Sequence, residues 1–193
     1  MPDPSTASLP PKALSVDVRG APDGFEPLPG YYAEVLPGGY SRLVVSLPSD
    51  RVEAIHRDLV AAIQGPLQVL YVQLTDRQQG QLATPRRFVG LEHPTEVVLA
   101  ALAETRLLIY HDGRHQLWVR GALREQVVLE EIGLMFCYPD DPSFHDVLQK
   151  HGLVEARIPT MAERDYVRVA FNSDADADEV GLIAGLGLRP YGG

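Results

Sequence analysis

Four times along the chain an apolar run ends in a short polar turn and a helical pattern begins: Leu47-Pro-Ser-Asp50, Leu91-Glu-His-Pro94, Tyr138-Pro-Asp-Asp141 and Phe171-Asn-Ser-Asp174. Aspartate, serine and asparagine satisfy the free N–H groups of a first helical turn, and proline suits its fixed backbone angle. Strands that alternate with helices in this way must pair with one another and cover one sheet face with the helices. The succession strand, helix, strand occurs over 42–111 and, less completely, over 133–191. We therefore expect an α+β fold with a largely antiparallel sheet and helices on one face, arranged as two ferredoxin-like units in tandem. The repeat is one of pattern and not of sequence identity.

Local signals set the boundaries. Residues 1–29 are rich in proline and poor in apolar periodicity, and read as a partly disordered lead whose residues 14–18 could dock as an extended strand. A first α+β unit spans 30–132. It opens with a hairpin turning at Pro37-Gly-Gly-Tyr40, and a helix carrying Val52, Ile55, Leu59, Ala62 and Ile63 follows, with Asp50 and Glu53 at capping-box spacing. Residues 67–74 read as a strand and 75–84 as an exposed polar loop. Residues 97–103 are apolar on every side, a pattern that demands cover on both faces. Runs 106–110 and 116–120 flank Asp112-Gly113, the strongest hairpin signal in the chain.

The second unit, 133–193, begins with a strand at 134–138 and a helix at 142–151, capped by Asp141 with Pro142 in its first turn. Residues 154–158 and 166–171 read as further strands and 176–186 as a weak helix before a glycine-rich tail. This unit is the acidic end. Residues 1–129 hold 14 acids against 12 bases, whereas 130–193 hold 12 against 5. No basic stripe of the kind that neutralises phosphates is present, so nucleic acid is not an expected partner. A single cysteine fits a reducing, cytoplasmic setting, and no apolar run reaches membrane-spanning length.

Chemistry-bearing residues gather around the third turn. Asp140, Asp141 and His145 are the candidate catalytic set, as general acid and base of a small hydrolase or transferase. The competing role for the aspartates is helix capping, as at Asp50 and Asp174. Cys137 alternates to the same strand face as Met135 and reads as a buried structural thiol. His111 and His115 straddle Asp112-Gly113 as exposed hairpin-tip residues, His56 lies near the edge of the first apolar stripe, and His151 sits in a last helical turn. These positions fix no metal set, and no cofactor is expected. The run Asp174-Ala-Asp-Ala-Asp178-Glu179 has a calcium-loop beginning but lacks its glycine and its terminal glutamate.

Small size and an acidic surface point first to a non-catalytic interaction protein that holds a basic protein partner, as an inhibitor or immunity-type protein does. Asp140, Asp141, Asp174, Asp176, Asp178 and Glu179 are the expected partner-binding residues. Open sheet edges would also allow a homodimer.

Overall fold

The computed structural model describes residues 9–169 and 172–192. Residues 1–8 of the proline-rich lead, the Phe171 that opens the fourth turn and the last glycine lie outside them. The elements are β1 (Ala13–Ser15), β2 (Gly30–Val35), β3 (Ser41–Ser46), α1 (Ser49–Ala62), β4 (Leu67–Asp76), β5 (Gly80–His93), α2 (Thr95–Glu104), α3 (Arg106–His111), β6 (His115–Arg120), β7 (Gln126–Leu129), β8 (Met135–Tyr138), α4 (Pro142–Lys150), β9 (Tyr166–Arg168), α5 (Asp174–Gly185) and β10 (Arg189–Pro190). The fold is α+β. Eight strands form one antiparallel sheet in the order β10-β5-β4-β6-β7-β8-β3-β2, and β1 pairs with β9 in a separate ribbon. The large sheet carries strands from both sides of residue 132, joined by the β7–β8 pairing.

Alternation along the strands sorts side chains between two layers. Leu43, Val45, Tyr71, Leu117, Val127, Met135 and Cys137 face the helices, where they meet Val52, Ile55, Leu59, Val98, Leu102, Phe144, Leu148 and Leu182. Val44, Val128 and Phe136 take the other face and pack with Ala13, Ile132 and Met161 from the connecting segments. The pairing of Val127 with Cys137 and Val128 with Phe136 keeps this sorting in register across β7 and β8. Cys137 is buried among the helices as its alternation with Met135 predicts.

Several elements differ from the sequence expectation. Residues 106–110 are not the first arm of a hairpin but the helix α3, with Leu108, Ile109 and Tyr110 all buried. A short, wholly apolar run has no period with which to choose between strand and helix, and packing decides. Asp112-Gly113 consequently turns a helix into β6. At Gly113 a Cβ would collide with the Lys12 carbonyl oxygen, so the close passage of the N-terminal segment requires glycine there. Helix α1 starts on Pro48 without a side-chain cap, and Asp50 lies inside its first turn. Helix α2 buries Val98 and Leu102 but leaves Val97 exposed, so it is covered on one side only. The 75–84 stretch continues β4 and β5 into a long hairpin, whose tip is closed by Asp76 Oδ1 accepting from the Gln78 and Gln79 N–H groups at 2.9 and 3.1 Å. Residues 154–158 contribute one bridge, Tyr31 to Glu155, in place of a strand. The C-terminal tail adds β10 to the edge of β5. No helix among the described residues is long and apolar enough to cross a membrane.

Candidate functional site

Strand β8 delivers the third turn to the N-terminus of α4, where the two aspartates take different roles. Asp141 Oδ1 accepts from Ser143 N at 2.9 Å and from Ser143 Oγ at 2.7 Å, which is a helix cap. Those two bonds to Ser143 hold its carboxyl below the usual carboxylate range. Asp140 Oδ1 instead lies 2.6 Å from His145 Nε2, one turn into α4. The other ring nitrogen, Nδ1, lies 3.3 Å from the buried Tyr31 hydroxyl on β2 and 3.8 Å from Glu155 Oε2. Tyr31 also meets the imidazole edge-on, with 5.4 Å between ring centres. Asp140 and His145 thus come together, and Glu155 joins them from the 154–158 segment, whose strand pattern carries no sign of this contact. A protonated His145 presents one N–H to Asp140 and the other toward Tyr31 and Glu155.

The C-terminal acids are mostly engaged inside the molecule. Arg114, fully buried in the turn just before β6, pairs at two points with the equally buried Asp112 and reaches Asp176 at 2.7 Å, Glu179 at 3.3 Å and the Asn172 carbonyl at 3.2 Å. Asp176 also holds Arg77 at 2.6 Å, and these guanidiniums, Arg114 foremost, keep its carboxyl below the usual range. Glu179 accepts from the Tyr71 hydroxyl and from Gln73 Nε2. Asp178 Oδ2 accepts from Leu108 N at 3.2 Å and so caps the neighbouring helix α3. Asp174 remains exposed at the start of α5. Two of the four acids in 174–179, Asp176 and Glu179, thus answer one buried arginine.

A second polar group lies wholly inside. His56 and His115 are fully buried, not at a stripe edge and not at a hairpin tip. His56 Nδ1 lies 3.1 Å from the Tyr110 hydroxyl, and His115 stacks on Tyr71 with centroids 5.1 Å apart. Lys12, from the proline-rich lead, is 2% exposed, and its Nζ donates to the Ile109 carbonyl at 3.0 Å and contacts His115 Nε2 at 3.4 Å. His56 Nε2 and His115 Nδ1 have no hydrogen-bond partner among the described residues. Burial, the dominant cause, lowers all three bases: Lys12 to about 7, His56 to about 3 and His115 well below its ordinary value. Lys12 carries no local sequence signal, since its burial depends on a contact with residues about a hundred positions away.

The remaining candidates are structural. His111 is buried and its Nδ1 donates to the Pro10 carbonyl at 2.9 Å, tying down the N-terminal segment. His151 lies 2.8 Å from Asp58, joining the end of α4 to α1. Burial pushes the Cys137 thiol far up. Among the described residues no group of three or more His, Cys, Asp or Glu side chains is placed to hold a metal ion. No family model, curated protein or solved structure matches the chain.

Proposed function

We propose that the chain is a non-catalytic binding protein that holds a basic segment of another protein, in the manner of an inhibitor, where the start of α4 meets the edge strand β2. The observation that carries this reading is the convergence of Asp140 and Glu155 on His145 beside a sheet edge that is open over part of its length. Tyr31 uses its outward N–H and C=O on Val154 and Ala156. By the two-residue alternation of an antiparallel strand, Ala33 and Val35 present theirs on the same outer edge, where no strand lies among the described residues. Exposed Val35, Tyr40 and Val154 supply apolar contact next to the acids. An added strand would gain main-chain hydrogen bonds from β2 and specificity from Asp140 and Glu155. The free, buried Cys137 agrees with a cytoplasmic setting.

The Asp140–His145 bond also supports a second reading, a hydrolase in which Asp140 orients His145 as base. Ser143, the nearest hydroxyl in sequence, donates to Asp141 instead, which places the interaction reading first. Fluorescence anisotropy with a labelled peptide of alternating Lys and Val separates the two. Binding that weakens with added salt and with Asp140→Asn supports the interaction reading. Affinity indifferent to both would remove it.

A further inference from the structure

Residues 9–14 and 25–27 of the N-terminal segment close over the link between β3 and α1 and leave a cavity of about 510 Å³, with Phe25, Leu47, Val52, Ile132 and Met161 among its walls. Pockets of about 300–1,000 Å³, lined mostly by apolar side chains, are the ordinary form of a small-molecule site. Two of the polar residues in the lining are already engaged elsewhere. The Tyr110 hydroxyl meets His56 Nδ1, and the Lys12 amine is held by the Ile109 carbonyl and His115 Nε2, so that this lysine contributes its aliphatic stem to the wall. The charged groups left to a ligand are the carboxylates of Glu26 and Asp50. Both residues are exposed, which puts the polar end of the cavity at its mouth.

We propose that this cavity binds a small ligand with an apolar body and a protonated amine, the body inside and the ammonium at Glu26 and Asp50. The surrounding charges leave those two acids free for it. Asp23 is taken by Arg164 and Glu53 by Arg106, whereas Glu26 and Asp50 enter no ion pair among the described residues. Arg164 stacks on Phe25 at 4.4 Å, but Asp23 balances its charge. Arg51, next to Asp50, donates to the His151 carbonyl at 2.6 Å. The N-terminus of α1, which has no side-chain cap, adds about half a positive charge near the mouth, and the two carboxylates exceed it. An anionic ligand is therefore repelled, and a neutral one gains the apolar contact alone. The cavity shares no lining residue with the junction of α4 and β2, so this site stands or falls apart from the peptide surface.

Three probes of equal chain length, octylamine, octanol and octanoate, titrated into the full chain at neutral pH and followed by amide chemical shifts, test the proposal. Octylamine is expected to shift Phe25, Val52 and Met161 and to bind at least ~10-fold more tightly than octanoate, whose charge has the wrong sign for the two carboxylates. Glu26→Gln combined with Asp50→Asn should weaken octylamine by ~3- to 10-fold and leave octanol unchanged. Asp174→Asn, at an exposed acid outside the cavity, should change neither. Shortening the amine to hexylamine should weaken it by about 4-fold for each methylene removed. Ser49→Trp, which fills the cavity from the start of α1, should weaken octylamine and octanol together. Octanoate binding as tightly as octylamine would overturn the proposal. So would an octylamine affinity unchanged in the double variant, or the absence of shifts along the cavity wall.

Discussion

Arg114 and Asp112 face each other two residues apart, Nη2 to Oδ2 at 2.7 Å and Nε to Oδ1 at 2.9 Å, with neither side chain more than 1% exposed. This pair fixes the turn between α3 and β6, and through Asp176 and Glu179 it anchors α5. Removing the guanidinium leaves Asp112 buried without a counter-charge. Arg114→Met is therefore expected to lower the unfolding free energy by ~3–5 kcal/mol in urea titrations. Arg114→Lys should recover little of it, because an ammonium cannot make the two-point contact. Asp176→Asn, at a half-exposed partner, should cost no more than ~1 kcal/mol.

The buried bases make stability depend on pH in a defined direction. His56 binds a proton less readily when folded (about 3) than at its ordinary 6.5, so the unfolded chain gains protons as pH drops below 6.5 and stability falls. By pH 4 this group alone should remove ~3 kcal/mol, and His115 acts in the same direction. Glu130, which burial raises from 4.5 to about 7, runs the opposite way between those values. The informative quantity is thus the difference between the parent and His56→Gln, whose stability curve should be flatter below pH 6.5.

On the alkaline side Lys12 governs. Its folded value of about 7 against an ordinary 10.5 means that stability rises between those limits, where the unfolded chain still holds a proton that the folded chain has lost. Between pH 7 and pH 9 the gain should be ~2 kcal/mol, and Lys12→Met should abolish it. Above pH 10 the trend reverses, because the folded chain keeps Tyr71 and Tyr110 neutral where the unfolded chain ionises them.

How much of this was legible in the sequence follows from where each signal resides. Helix α4 was readable because its cap, its first-turn proline and its two buried anchors Phe144 and Leu148 lie within ten residues of one another. The β2–β3 hairpin was readable because Gly38 and Gly39 both take the left-handed backbone that their turn needs. Helix α3 was not, since four consecutive large side chains satisfy either element. The ion-pair node at Arg114 was invisible for a different reason: an arginine advertises nothing about burial until α5 folds back over it. Of the candidate site, Asp140 and His145 were found by proximity in sequence, whereas Glu155 and Tyr31 reach it through the tertiary fold alone.

Asp141 and Asp140, adjacent in sequence, should separate cleanly under mutation. Asp141→Ala removes the α4 cap and is expected to cost about 1 kcal/mol in thermal or urea unfolding while leaving peptide affinity in place. Asp140→Asn should do the reverse, weakening the salt-sensitive peptide complex with little change in the unfolding midpoint.

Cys137, packed between the sheet and the helices, should be inert in the folded protein. A thiol reagent such as dithionitrobenzoate should label it only at the rate of unfolding, and label it promptly in urea.

Peptide binding is expected at one surface, the junction of α4 with the open edge of β2. An amide chemical-shift map of the full chain titrated with the alternating Lys and Val peptide tests it most directly. The expected result is a set of shifts centred on Ala33, Val35, Asp140, His145 and Glu155, reduced by salt and lost in the Asp140→Asn, Glu155→Gln double variant. Shifts centred on 174–179, or shifts at the junction that persist unchanged in the double variant, would contradict it.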